Sequence, residues 1–388
     1  MRVVPVSVRG DAAVRDALLS HGWEGDVASL TTAGLAPGAF HVTGLAPAAI
    51  EAMVPLAARL GLELVTGEDW LLLAGPRSRL GAFARPWLQP EPVRALAEAV
   101  GMAMPGEPAA AWPHRTGAIA LTAPVIVGII NVTPDSFSPS SRTASVDEAL
   151  HRADALLAGG ATVLDVGGES TRPGAAPVPA DEECGRVVPV VAALARRFPD
   201  LPLSVDTMHA ATARAAVAAG AAIINDVTAG RHDPALLEVA AASGAGLVLS
   251  HSRGAPGALA DLDQMAATPD VIGAVCHELG AARDAAIAAG VAGERVVLDP
   301  GFGFGKSAAQ NWRLLDGLDA VVALGHPVMV GVSRKRFLGE ATGRSADDRD
   351  AATAAACALA CARGARLFRV HDAGAVRDAL AVAMAAAT

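Results

Sequence analysis

Val125-Ile-Val-Gly-Ile-Ile-Asn-Val-Thr-Pro-Asp-Ser-Phe137 runs from six consecutive apolar residues straight into a polar loop. An apolar run of that length without polar alternation reads as a strand buried on both faces. Seven more junctions of this kind follow. Thr162–Val166 leads into Gly167-Gly-Glu-Ser-Thr-Arg-Pro-Gly174, and Leu203–Val205 into Asp206-Thr207. Ala222–Ile224 leads into Asn225-Asp226, and Leu247–Leu249 into Ser250-His-Ser-Arg-Gly254. Val296–Leu298 meets Asp299-Pro-Gly-Phe-Gly-Phe-Gly-Lys306, and Val328–Gly331 precedes Ser333-Arg-Lys335. The last strand, Leu367–Arg369, runs into Val370-His-Asp372.

Helical patterns separate the strands, among them Ser145–Ala158, Ala180–Phe198, Pro234–Ala242 and residues 269–289, 308–323, 346–363 and 373–386. Ser145 with Glu148 has the spacing of a capping box, which places a helix start at Ser145. Eight strands alternating with helices predict an α/β fold, a (β/α)8 TIM barrel, whose strand ends converge on one rim that carries the active site. A doubly wound open sheet is the alternative. It usually carries a Gly-rich first turn, and the first turn here is Asn-Val-Thr-Pro.

A barrel takes about 250 residues, so a chain of 388 has room for a second domain. Residues 1–105 read as a small α+β domain of unknown role, with strands at Arg2–Val8, Leu62–Val65 and Trp70–Ala74. Its helices are expected at Ala12–His21, Ala46–Leu60, Pro76–Phe83 and Glu91–Met102. Residues 106–122 read as a linker and 123–388 as the barrel, because proline and glycine interrupt both periods around Met104–Pro113.

Hydrophobic content of 52% with 18% charge suits a large core. The formal charge of −9 argues against a general nucleic-acid surface, so an anionic ligand would need a local positive pocket. No apolar stretch reaches the roughly 18 residues that span a bilayer, and Met1–Val6 is too short for a signal peptide. The cysteines lack C-x-x-C spacing. Cys357 and Cys361 share a helix face and read as a buried apolar pair, and reduced thiols fit a cytoplasmic protein. No tyrosine is available for proton transfer.

The strand ends carry the chemistry. Asp299–Ser307 nearly matches a phosphate-binding P-loop, but Pro300 stands where the first glycine is required, so that reading fails. Its glycines instead suit close backbone approach to a flat ring beside Phe302 or Phe304; tight-turn core phenylalanines are the alternative. Asp206, Asn225 and Asp299 can meet a 2-amino-pyrimidinone edge, with carboxylates accepting paired N–H bonds. Each, like Asp226 and Asp372, could instead cap a helix. Ser333-Arg334-Lys335 and Arg369-Val-His371 concentrate donors at strands seven and eight. Asn131 lies beside strand eight once the barrel closes, so Asn131, Arg369 and His371 can surround one anion. Ser170-Thr-Arg172 sits on a Gly/Pro-punctuated loop. His251 either faces the pocket or satisfies a backbone group.

Together these signatures resemble the dihydropteroate synthase family, over about residues 123–388 and at all eight strand ends. The resemblance implies condensation of 6-hydroxymethyl-7,8-dihydropterin pyrophosphate with p-aminobenzoate, giving 7,8-dihydropteroate and pyrophosphate in folate biosynthesis, with Mg²⁺. It implies catalytic roles for Asp206, Asp299 and Lys335, and pterin contacts from Asp206, Asn225, Asp299, Phe304, Gly331 and Lys335. Pyrophosphate falls to Asn131, Arg369 and His371, with Asn131 near the metal. The p-aminobenzoate falls to Thr171, Arg172, Pro173, Phe302 and Ser333. A cytoplasmic homodimer and a sulfonamide target are likewise implied. The pattern departs from the family at Pro139-Ser-Ser-Arg142, Met208-His209 and Ser250-His-Ser252. Two other readings compete: a non-catalytic pterin-binding or regulatory paralogue, and a methyltetrahydrofolate-corrinoid methyltransferase. The methyltransferase would not be expected to carry Thr171-Arg172-Pro173 or Ser333-Arg334-Lys335.

Overall fold

The computed structural model describes residues 1–6, 39–75, 77–103, 109–132, 142–169, 177–254, 265 and 268–387. They divide into two compact units. One comprises Met1–Pro108, Thr268–His277 and Asp316–Gly325; the other comprises Ala109–Ala267, Glu278–Leu315 and His326–Thr388.

In the first unit, a four-stranded antiparallel sheet runs in the order Arg2–Val6, Ala39–Thr43, Trp70–Ala74, Glu63–Thr66. The helix Pro47–Leu60 begins with proline, whose absent N–H costs nothing there, and ends at Gly61 in the left-handed region. Its Met53 and Leu56 pack with Val42, Leu71, Leu73 and Phe83 in one core. The inner strand Ala39–Thr43 escapes sequence reading because five residues between loops show too few periods. The expected helix Ala12–His21 lies outside the described residues. The expected helix Glu91–Met102 is a 3-10 turn followed by Arg94–Ala103.

The second unit is an eight-stranded parallel barrel. Its strands are β1 Val125–Asn131, β2 Val163–Gly167, β3 Leu203–Asp206, β4 Ile223–Asp226, β5 Gly246–Ser250, β6 Val296–Asp299, β7 Met329–Val330 and β8 Leu367–Val370. They pair in sequence order from β1 to β6, and β8 joins β7 to β1. A parallel bridge between Leu298 and Val328, with the Leu298 N–H donating to the Pro327 carbonyl at 3.0 Å, closes the ring. Helices follow the strands: α1 Arg142–Ala158, α2 Ala180–Arg197, α3 Ala210–Ala219, α4 Ala235–Ser243, α5 Val271–Ala288, α6 Ala308–Asp316, α7 Asp350–Ala362 and α8 Ala373–Ala387. The strands are almost wholly buried, as their unbroken apolar runs require.

Two expectations are corrected. Helix α1 starts at Arg142, so Ser145 lies inside it rather than at its cap. Within the expected linker, Ala111–His114 pairs with Gly117–Ala120 as a hairpin. Its Trp112 is buried against Val125, Val163, Ile223, Val248, Val297, Met329 and Leu367, most of them at the starts of strands, and donates its indole N–H to the Arg295 carbonyl at 2.7 Å. The hairpin therefore plugs the end of the barrel opposite the rim. Prolines and glycine hid this pairing, because it is held by the barrel and not by local propensity.

Candidate active site

Strand register sets the rim. Asn131 pairs with Gly167, Gly167 with Asp206, and Asp206 with Asn225, so four strand ends stand at one level. Ser250 pairs with Asp299 on the next two strands. Glycine at position 167 keeps the row open, since a Cβ there would lie 3.4 Å from the Asp206 carboxylate.

At the centre of the barrel mouth, Arg369 donates from Nε to Asp165 Oδ2 and from Nη2 to Asp206 Oδ2, both at 2.6 Å. Asn225 Nδ2 donates to the same Asp165 oxygen at 3.1 Å. Asp165 was not singled out from the sequence. A lone carboxylate in Val163-Leu-Asp-Val-Gly167, a strand otherwise apolar, was its available signal, because buried aspartates are almost always paired. Arg369, expected at a diphosphate, spends two of its nitrogens on these carboxylates, since two buried anions need a cation between them. Burial pushes Asp206 up to about 7, with Asp165 and Glu183 adding to the rise and Arg369 opposing it. Burial works against the Arg369 charge, but Asp206 and Asp165 more than offset it and raise the guanidinium above its ordinary value.

The β6 loop supplies the facing side. Asp299 Oδ1 accepts the Gly301 N–H at 2.7 Å, and burial raises this carboxyl as well. Lys335 donates to the Phe302 carbonyl, and its Nζ stands 4.2 Å from the centroid of the Phe304 ring. Burial lowers Lys335 to about 8, against the pull of Asp299. Phe304 forms an apolar patch with Met208 and Val227. Gly331 leaves room here: a Cβ would sit 3.7 Å from Asp299 Oδ2.

Several expected residues take other places. The Phe302 ring, expected beside p-aminobenzoate, is fully buried and stacks 6.1 Å from Phe337, which meets Trp312 edge-on at 4.8 Å; only its carbonyl turns toward Lys335. Ser333 Oγ is taken by His371, accepting its backbone N–H at 3.1 Å and lying 3.0 Å from its Nδ1. That links an expected arylamine residue to the expected anion site. Arg334 adds no charge to the rim, because it forks onto Asp350 at 2.9 Å from a left-handed backbone, φ +59°. Asp372 caps α8 through Ala375 and follows the capping reading, whereas Asp226 accepts the Thr228 and Gly230 N–H groups within the loop after β4, well before α4 begins at Ala235. His251 follows the structural one: it is buried with Nδ1 3.0 Å from Lys306 Nζ and Nε2 3.1 Å from Glu278 Oε2, and burial lowers it to about 4. Ser252 spends its hydroxyl on the Val227 carbonyl and on Arg231. Cys357 and Cys361 are buried and free. Thr171, Arg172 and Pro173 lie outside the described residues. Among the described residues, no group of three or more His, Cys, Asp or Glu side chains could hold a metal, and no helix is long and apolar enough to cross a membrane.

The barrel mouth thus holds an Asp–Arg–Asp–Asn cluster and a lysine set over an aromatic ring, and residues 127–371 match the model of the pterin binding enzyme family. The chain belongs to that family. It is similar to the dihydropteroate synthase of Mycobacterium leprae, 44% identical over 270 residues covering 67% of this chain and 93% of that one. Two Xanthomonas albilineans dihydropteroate synthase structures are also similar. One, with 4-aminobenzoic acid, is 46% identical at a TM-score of 0.63, covering 69% of this chain and 95% of that one. The other, with 7,8-dihydropteroate, is 42% identical at a TM-score of 0.63, covering 71% and 98%. The family model leaves residues 1–126 unmatched.

Proposed function

We propose that this barrel acts as a dihydropteroate synthase, transferring the dihydropterin methylene from pyrophosphate to the amine of p-aminobenzoate. The observation that carries the reading is Arg369 clamped between Asp165 and Asp206, with Asn225 on the same carboxylate. It is supported by relatives of that activity at over 40% identity. No described observation favours a corrinoid methyltransferase or a non-catalytic paralogue.

Asp206, Asn225 and Asp299 meet the pterin N–H edge, Lys335 the ring on its other side, and Phe304 its face. The C–O bond to pyrophosphate breaks, leaving an electron-poor methylene. Asp206 and Asp299 stabilise that charge in a water-poor mouth. The arylamine nitrogen forms the new C–N bond and releases its proton, with no enzyme nucleophile. Asn131 and His371 receive the departing diphosphate, with Arg369 lending charge from beside Asp206. Thr171, Arg172, Pro173 and Ser333 remain assigned to the p-aminobenzoate side by resemblance.

Mg²⁺ is usually held by few protein ligands, mostly carboxylates, plus substrate phosphates rather than by a protein cage. Asn131, half-buried at the end of β1, offers an amide oxygen. Bound there, Mg²⁺ would neutralise charge on the leaving group. A homodimer is implied by the family resemblance. A cytoplasmic location is supported by the free thiols. The α+β domain of residues 1–105 carries no assigned chemistry.

Purified protein with Mg²⁺, dihydropterin pyrophosphate and p-aminobenzoate should release pyrophosphate only when the arylamine is present, and sulfonamides should compete with it. Asp206→Ala and Lys335→Ala should each abolish turnover while circular dichroism stays unchanged. Near-normal rates in either variant would refute the assigned roles.

A further inference from the structure

The chain contains two lysines, Lys306 and Lys335, against 29 arginines. Both address the β6 loop from opposite sides. Lys306, the residue that makes this stretch imitate a P-loop, is 1% exposed and turned inward. Its Nζ donates to the Gly301 carbonyl at 2.8 Å and the Phe304 carbonyl at 3.1 Å, lies 3.0 Å from His251 Nδ1, and reaches the His251 carbonyl at 3.5 Å. Other side chains complete the inner lining: Asn311 Oδ1 accepts the Gly303 N–H at 2.8 Å, and Asn311 Nδ2 donates to the Lys306 carbonyl at 3.1 Å. The loop thus presents outward the Phe302 carbonyl and the Phe304 ring, the two groups that Lys335 touches.

We propose that Lys306 is a positioning residue for the reaction: from behind the loop, it holds the Phe302 carbonyl and the Phe304 ring where they seat Lys335. The inference rests on the synthase reading only for Lys335's role. A chain of contacts backs Lys306 in turn. His251 Nε2 lies 3.1 Å from Glu278 Oε2, and Arg253 pairs with the same Glu278. The charged and titratable groups facing Lys306 are therefore Lys335, Asp299, Glu278, Arg253 and His251. Burial first, and Lys335 second, lower Lys306 to about 7. Removing Lys306 should therefore displace the Phe302 carbonyl and the Phe304 ring from Lys335 Nζ and change the environment of that nitrogen, which loss of packing elsewhere would not do.

The test uses Lys306→Met in the full chain. With two lysines present, ¹⁵N labelling of lysine gives two side-chain Nζ signals, and the variant keeps one. We expect the KM for dihydropterin pyrophosphate to rise roughly tenfold or more, as a misplaced binding group allows, with the KM for p-aminobenzoate little changed. The Lys335 Nζ signal should change position, because the Phe302 carbonyl and the Phe304 ring leave it. A variant that loses only thermal stability, with both the pterin KM and the Lys335 Nζ signal unmoved, overturns the proposal. If Lys306→Met does not fold, His251→Gln decides it: this keeps the lysine but removes the ring it leans on, and an unmoved pterin KM is then the overturning result. Wild-type protein without turnover would count against the synthase reading, whereas the position of the Lys335 Nζ signal still judges Lys306.

Discussion

Protonation of two side chains governs the pH response. Asp206 must be ionised to accept pterin N–H bonds, and its carboxyl titrates at about 7. Lys335 must be protonated to donate, and it titrates at about 8. The kcat/KM for dihydropterin pyrophosphate should therefore fall as pH drops through about 7 and again as it climbs through about 8, since this ratio reports the free enzyme. A flat profile from pH 6 to 9 would remove one of the two from its role. Asp165→Ala should destabilise the protein by about 3 kcal/mol, the lower end for breaking a buried ion pair, because Arg369 retains Asp206 as its second partner. Urea unfolding checks the size. Turnover should be lost as well, because Asn225 and Arg369 then have no common anchor.

The β6 loop is an element whose conformation is dictated by backbone proximity. Gly301 stands at φ +66°, and a Cβ there would lie 1.8 Å from the His251 carbonyl oxygen. Gly301→Ala must therefore move the loop or β5, at a cost of more than about 1 kcal/mol. It should also impair pterin binding through Phe302 and Lys335, which pyrophosphate-release kinetics and calorimetric titration would record. Unaltered affinity and stability would contradict the loop's tight seat. The sequence announced the turn through three glycines, but its direction depends on Lys306, which meets it from its buried side.

Across the whole barrel, one end carries chemistry and the other is sealed. Trp112 fills the sealed end with under 2% of its surface exposed. Trp112→Ala should cost about 3–5 kcal/mol, the usual range for removing a buried tryptophan, with the active-site residues untouched. Thermal unfolding should show a lower midpoint and near-normal kcat at low temperature. Loss of kcat without loss of stability would mean that the hairpin acts on the rim instead.

The sequence by itself determined the eight strands, their order and which of their ends are polar, because continuous apolar runs and strand-terminal Asp, Asn and Arg are local patterns. It thereby marked Asp206, Asn225, Asp299, Lys335 and Arg369. Only the tertiary structure decided the partners: Asp165 with Arg369, Phe302 with Phe337, Ser333 with His371, and Lys306 with the loop. The first three pairings join residues 35 to 204 positions apart, at 2.6 to 6.1 Å, so no local period encodes them, and Lys306 is held in its loop by His251, 55 positions away. Closing the barrel brings them within reach, and the cost of burying charge without a partner then selects which ones meet.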